Sequence, residues 1–406
     1  MPRSQALGRL TALIITAFVD MVGLLMVIPV LPFYARSLGA SALMVTVLTG
    51  SFTAAQLVSA PLWGRVSDRY GRRPALFIGL GAAFIAYIFF AFATTFWWLL
   101  LSRLIQGAGG GTTGVVQAYV TDAVEPEERA KALGWISAAT NVGVALGPPI
   151  GSLALKLLDV HGPGLIAAAL CLCNIAFVWR YLAESRDLSE ADAAPRKHGA
   201  SLEAVARVVT HSSEPAPRLI WMYGIAIGAW QGMNAILALF LADKFGVNKS
   251  NIWVAYTFIG TISVITRAGI LGRMVDHFGE VRLSRIGLIM LSIGLAAFPF
   301  MPTYPTLAIA LALMPLGTAF TFPCVTSMLS RVISRNERGL YLGVQQTFGG
   351  LGRIIIPLWA GFAYDHLGHG IPFWTSALLV LSVVGLGFGI DDPRRQHRDD
   401  RAAVAA

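Results

Sequence analysis

GRVSDRYG, from Gly64 to Gly71, returns as GRMVDHFG, from Gly272 to Gly279. The two stretches lie 208 residues apart and share both glycines, the arginine after the first, and a central aspartate (Asp68, Asp276). Glu128-Arg129 and Gly134 return as Glu337-Arg338 and Gly343, and Pro148 returns as Pro357, each 209 residues on. An offset held from residue 64 to residue 357 means that the chain carries one internal plan twice.

The solvent for that plan is lipid. Of 406 residues, 55% are hydrophobic and 13% charged, with a mean hydropathy of +0.65. Soluble domains carry about 25% charged residues. Roughly 20 mostly apolar residues cross about 30 Å of hydrocarbon. By that rule twelve spans are predicted near 10–34, 44–66, 74–93, 96–120, 132–155, 162–183, 218–242, 251–273, 281–301, 305–330, 340–362 and 371–390. The first run is too long for a cleavable signal peptide and lacks a small-residue cleavage site.

The expected fold is therefore an all-α integral membrane protein of twelve transmembrane helices in two pseudo-symmetric six-helix bundles. The bundles are expected at 1–184 and 218–406, the latter with a tail, and are joined by a linker over 185–217. Parallel repeats of this kind describe transporters with the substrate site between bundles near mid-membrane. Inside the linker, Ser201 to Thr210 is amphipathic, with Leu202, Val205, Val208 and Val209 on one face and Ser201 placed to cap it. It is expected to lie on the cytoplasmic membrane surface.

The net charge of +9 raises nucleic acid as a partner. With the N-terminus inside, 24 of the 31 Lys and Arg fall in inner segments. The outer loops keep Arg36, Lys156, Lys244 and Lys249, and the spans keep Arg103, Arg267 and Arg353. That asymmetry is the positive-inside pattern, which places both termini in the cytoplasm. A nucleic-acid face would gather the charge on one patch. A multi-pass protein of the inner (plasma) membrane, monomeric and without a nucleic-acid partner, is expected.

Cys171, Cys173 and Cys324 all fall in predicted spans. Cys171 and Cys173 point to different helix faces, so all three are expected to be small packing residues without disulfide or metal. The seven histidines lie in loops or tails, and His366-x-x-His369 is a weak metal candidate. No cofactor or metal is expected.

RLIQGAGGGTTGVVQAY (Arg103 to Tyr119) has the Gly109-x-Gly111-x-x-Gly114 spacing of a dinucleotide fingerprint. That motif requires a preceding strand and a helix opening at the third glycine. Here an apolar helix precedes it and is expected to run through the glycines without a turn. The glycines then form a groove for close helix approach or for a ligand.

These residues resemble the major facilitator superfamily, in particular its twelve-span drug/proton antiporters, which include the tetracycline exporters. Gly64-x-x-x-Asp68-Arg69-x-Gly71-Arg72-Arg73 is similar to the family's loop 2–3 signature. Arg103-x-x-Gln106-Gly107 is similar to its fourth-span motif, and Gly143-x-x-x-Gly147-Pro148-Pro149-x-Gly151 to the fifth-span motif of exporters, with Ser152 where a second glycine is common. Asp20-x-x-Gly23-x-x-x-x-x-Pro29-x-Leu31-Pro32 is similar to the first span of the tetracycline-exporter branch. The resemblance implies that Arg103 organises a proton relay near span 1. It also implies that the loop signature latches the bundles on the cytoplasmic side.

Charge inside a membrane is costly and marks functional candidates. Low dielectric disfavours an ionised carboxyl and a nearby arginine favours it. Asp20, near mid-depth of span 1, can in that balance trade a proton for cargo; the alternative is a fixed salt bridge. Arg103 is either a proton-coupling residue or a static helix clamp. Arg353 repeats Val144 and is a candidate for an anionic cargo group or a partner of Asp20, with Gln345 and Gln346 nearby. Arg267 repeats Ser59 and lies close enough to the inner surface to snorkel. Trp230, Gln231 and Asn234 in span 7, with Gln56 and Asn141, are further substrate candidates.

The gating candidates are Gly64, Asp68, Gly71, Arg72, Gly143, Gly147, Pro148, Gly151, Asp276 and Pro357. Arg72 and Arg73 have the alternative of serving topology alone. The fifth-span glycines are expected to approach span 8. The leading reading is proton-coupled export of a drug-like, zwitterionic or anionic small molecule by alternating access. A uniporter or symporter for an anionic metabolite or lipid is the alternative. No H-E-x-x-H, P-loop or G-x-S-x-G motif points to an enzyme.

Overall fold

The computed structural model describes residues 3–185, 198–334 and 336–389. Helices account for the regular structure, and no strand occurs among the described residues. In chain order they are α1 (Arg3–Val27), α2 (Leu31–Ser37), α3 (Ala42–Tyr70), α4 (Arg72–Ala91), α5 (Phe96–Gly109), α6 (Thr112–Ala123), α7 (Pro126–Leu158) and α8 (Gly162–Tyr181). There follow α9 (His198–Thr210), α10 (Pro215–Phe245), α11 (Trp253–Ile265), α12 (Leu271–Phe278), α13 (Glu280–Ala297), α14 (Tyr304–Val332), α15 (Arg338–His366) and α16 (Ile371–Val384).

Eight segments are long and apolar enough to cross a membrane, and they take up nine of the predicted spans because Lys131–Tyr181 holds both α7 and α8. The other three spans fall on α5 with α6, on α15 and on α16. Two of these departures have a plain cause. Span 4 is divided into helices of 14 and 12 residues, and α16 has only 14 residues before a 3-10 turn.

The chain divides into two compact units, Met1–Pro195 with Ile236–Gly260, and Arg196–Ala235 with Thr261–Ala406. The last turns of α10 and the start of α11 thus belong with the first unit. In the first, α4 packs on α5 and α8, and α1 packs on α7 and α8. In the second, α13 packs on α14 and α16, which repeats the α4 arrangement. Lipid-scale packing depends on close backbone approach rather than on expelling water, and glycines supply it: a Cβ at Gly287 or Gly317 would strike the backbone of the facing helix.

The helix α9 begins at His198, so Ser201 lies inside it rather than capping it. Its apolar residues also divide: Val208 is fully buried, whereas Leu202 and Val209 are 75% and 58% exposed. Trp221 Nε1 donates to the Val208 carbonyl at 3.2 Å, and α9 packs on α15. One side of α9 therefore docks on its own unit.

Candidate functional site

The expectation of an unbroken span 4 does not hold. Helix α5 stops at Gly109, α6 starts at Thr112, and Gly110 and Gly111 form a turn between them. The neighbouring helix α3 explains the break. A Cβ at Gly107 would strike the Phe52 carbonyl, and one at Gly111 would strike the Trp63 indole. The carbonyls left at the break are taken by α3 side chains. Trp63 Nε1 donates to Ala108 at 2.5 Å, Gln56 Nε2 to Gly110 at 3.0 Å, and Ser59 Oγ to Gly107 at 3.4 Å. Gln56 is thus committed to the backbone of span 4, a role that its sequence position alone does not reveal.

Asp20, half-buried on α1, faces this break. The Thr112 hydroxyl, on the first residue of α6, donates to Asp20 Oδ2 at 3.4 Å. The start of a helix carries free N–H groups and the positive end of the dipole, which suits a carboxylate. Breaking span 4 therefore creates a helix start in the interior of the unit.

Within electrostatic range of Asp20 is a polar group that the sequence reading missed. The buried Tyr87 hydroxyl accepts from Gln106 Nε2 at 2.8 Å. It lies 3.0 Å from the Cβ position of Gly23, one turn beyond Asp20, and within electrostatic range of Asp20 and Arg103. Arg103 is 2% exposed. Its guanidinium lies 5.5 Å over the Phe90 ring, and Nη2 donates to Ser102 Oγ at 3.3 Å. No ion pair joins Arg103 to Asp20 among the described residues. Arg103 Nε and Gln106 Oε1 are buried without a partner. Buried polar groups are nearly always satisfied, so two orphans one turn apart mark a place where water or a ligand belongs.

The α3–α4 turn is built around Gly71, whose φ of 102° is open to glycine and strained for other residues. Arg72 is buried rather than a free topological charge. It donates from Nε to Asp122 at 2.8 Å and from Nη1 to Asp68 and Ser67, each at 2.8 Å. Arg73 reaches the Trp179 carbonyl at 2.6 Å. The Glu184 carboxylate accepts from the Arg72 and Arg73 N–H groups at 2.9 and 3.0 Å, capping α4. Gly64 has open space around its Cβ position. At the repeated turn, Gly279 has φ 74° and Asp276 is exposed.

The fifth-span glycines meet α1, not span 8. Cβ atoms at Gly143, Gly147 and Gly151 would strike Met21, Leu25 and Met26. The neighbouring face of α7, at Val144 and Ala145, is the one that Gly260 of α11 faces, 3.5 Å from where its Cβ would stand. Pro148 lies within α7, and Pro357 is buried within α15. Asn141 is half-buried on α7.

In the second unit, Arg353 Nη2 donates to Tyr223 Oη at 3.4 Å. Arg267 is exposed on a π turn, Thr266–Ile270, between α11 and α12, within electrostatic range of Tyr223. Gln345 is fully buried against Thr326, and Gln346 is exposed on the other face. Trp230, Gln231 and Asn234 are half-buried, and the Asn234 amide donates to the Trp230 carbonyl at 2.9 Å. Cys171 and Cys324 are buried and Cys173 is exposed, and none of the three is in a disulfide. His366 stacks on Phe362 and His369 on Tyr364.

Two repeated bundles of apolar helices with polar groups sunk in their interiors define a multi-pass membrane transporter. The chain belongs to the Major Facilitator Superfamily, whose model matches residues 13–273 and 219–404. It is similar to tetracycline resistance protein, class B, of Escherichia coli, with 26% identity over 93% of this chain and 92% of that one. It is also similar to multidrug resistance protein 1 of Bacillus subtilis, with 28% identity over 93% and 95%. Among solved structures, its fold resembles the human organic anion transporter MFSD10, with a TM-score of 0.71 and 22% identity over 95% of this chain and all of that one.

Proposed function

We propose that this transporter is a proton-coupled antiporter that exports an amphipathic small molecule by alternating access, with Asp20 as the coupling carboxyl. The observation that carries the reading is the Asp20 carboxylate held by Thr112 at the internal start of α6. Ionised, Asp20 is stabilised by that hydroxyl and by the helix start; protonated, it loses most of that attraction. The broken span couples this change to helix movement, because carbonyls at its break are held by side chains of α3. The unpartnered Arg103 Nε and Gln106 Oε1 supply a polar lining for a water or cargo near the carboxyl.

In this reading two six-helix bundles, 1–184 and 218–406, move about a linker at 185–217. Both termini face the cytoplasm and the protein works as a monomer in the inner membrane. Asp68, Gly71 and Arg72, with Asp276 at the repeated turn, act in gating, as do the glycines and Pro148 of α7 and Pro357 of α15. The printed functions of the relatives, tetracycline and multidrug resistance, support a drug-like cargo. The printed function of MFSD10, organic anion transport, supports an acidic one. A uniporter or symporter for an anionic metabolite or lipid is the second reading, favoured by Arg267 and Arg353.

The test is cargo movement in proteoliposomes under an imposed pH gradient, for wild type and Asp20→Asn, with internal pH followed in parallel. Uphill movement with opposing proton flux, lost in the mutant while downhill exchange survives, is expected. Movement that ignores the gradient and survives the mutation would overturn the reading.

A further inference from the structure

In the second half no acidic residue occurs between Asp243 and Asp276, Glu280 and Glu337, or Arg338 and Tyr364, and Arg267 and Arg353 fall inside the first and last of these stretches. Charges inside a membrane normally pair with an opposite charge or with backbone carbonyls. Arg353 and Arg267 do neither among the described residues: neither has a carboxylate within ion-pair distance, and the one hydrogen bond between them is Arg353 to Tyr223.

The surroundings hold this arrangement in place. Gly349 has no side chain, so the Cδ1–Cε1 edge of the Tyr223 ring comes against α15, 2.7 Å from where a Cβ would stand. That is one turn before Arg353, which brings the phenol to the guanidinium. The edge of Phe322 fixes the same ring from α14, with centroids 5.4 Å apart. Arg267 sits on a π turn, the local widening of a helix that recurs at functional sites, within electrostatic range of Tyr223. The repeat-related positions in the first half are Val144, Ser59 and Ile15, so the cluster is not a requirement of the shared architecture.

We infer that Arg353, Arg267 and Tyr223 form a binding site for the anionic oxyacid head of the cargo, a carboxylate, sulfonate or phosphate attached to an apolar body. The oxygens of such an oxyanion can accept from two guanidinium groups and a phenol at once, and it supplies the negative charge that this region lacks. Phe322 and the apolar faces of α10 and α14 offer contact to the body. The inference rests on the transporter reading above and narrows its cargo to acidic amphiphiles.

The same chemistry is present in lipid phosphate, and the experiment separates the two sources. Full-length protein in phosphatidylcholine nanodiscs is titrated with 8-anilinonaphthalene-1-sulfonate and with its uncharged relative N-phenyl-1-naphthylamine, after subtraction of empty discs. Wild type is expected to bind the sulfonate about tenfold more tightly or better, the scale of one charge-assisted contact. Arg353→Gln should remove that preference while still binding the uncharged probe, which also reports that the variant is folded. Arg267→Gln and Tyr223→Phe should each reduce the preference severalfold, and Arg353→Lys should restore part of it. Equal affinity for the two probes in wild type, or a preference that survives Arg353→Gln, overturns the site. Loss of the preference when phosphatidylglycerol is added to the discs would assign the site to lipid phosphate and overturn the cargo assignment. Asp20→Asn, measured alongside, should keep the preference. Its effect on proton-driven movement thus tests antiport separately from the anion site.

Discussion

Glu280 accepts from Arg331 at 2.8 Å in a pair that is the charge-reversed counterpart of Arg72 with Asp122, also at 2.8 Å. Arg72 and Glu280 are 208 residues apart, and Asp122 and Arg331 are 209 apart, the offsets of the repeat. Each half thus ties the start of one helix to the end of another with an ion pair, but the two halves place the positive charge on opposite partners. In both pairs the partner at the helix start is buried, at 9% and 8% side-chain exposure, and the other is partly exposed.

Asp122→Arg is expected to destabilise the protein by about 3–5 kcal/mol, because it faces one buried guanidinium with another. Adding Arg72→Glu should recover much of that loss by reproducing the order found at Glu280 and Arg331. Recovery stays incomplete, since Glu at 72 then opposes Asp68. Denaturant unfolding of the two single variants and the double variant measures the coupling.

Arg103→Met should cost less than about 1 kcal/mol, since it replaces an unpaired buried cation with an apolar chain of similar length. It should nevertheless abolish cargo-coupled proton flux. A loss of about 3–5 kcal/mol would instead reveal a hidden buried ion pair.

Gly111→Ala forces a methyl group into the Trp63 indole and should cost about 1–3 kcal/mol, the usual range for overpacking. In a Trp63→Leu background the same substitution should cost distinctly less. Failure of the second change to relieve the first would separate the helix break from Trp63.

Gly71→Ala should cost about 1–3 kcal/mol, because φ 102° with ψ 163° is held almost solely by glycine. Glu184→Gln, which keeps the shape of the α4 cap but removes its charge, should cost about 0.5–2 kcal/mol. Thermal unfolding should rank the two in that order.

Lys249 donates to Asp159 at 2.6 Å and holds that carboxyl below its usual range. A depressed carboxyl stabilises the folded state above the unfolded pKa of about 3.9 and loses that contribution as pH falls through the folded value. The stability difference between wild type and Asp159→Asn should therefore be constant from about pH 5 to pH 8 and be lost as pH falls on the acid side of the unfolded value. A difference that grows toward acid would reverse the assigned role.

Much of the site could be located in advance, but little of its pairing. Asp20, Arg103 and Arg353 stand out because lone charges in apolar runs are expensive wherever they lie. Tyr87, Thr112 and Tyr223 carry no such signal, since hydroxyl-bearing residues are ordinary in membrane helices. Gln56 and Arg72 were visible as polar residues, yet what they bond depends on which helix lies opposite. Trp63 carries no signal in the sequence either, and its role shows only where its indole meets the carbonyl of Ala108.

The apolar period, the repeat at Gly64 and Gly272 and the loop signature determined, from sequence alone, that this is a twice-built helical membrane protein of its family. Those features are local or depend only on a constant offset, and lipid leaves few other ways to satisfy a backbone. Tertiary structure alone decided that span 4 breaks at Gly110 and Gly111, that the fifth-span glycines meet α1, and that Asp20 faces Thr112 rather than Arg103. Each of these is a contact between helices distant in sequence, set by which small residue meets which large one, and helical periodicity carries no information about that choice.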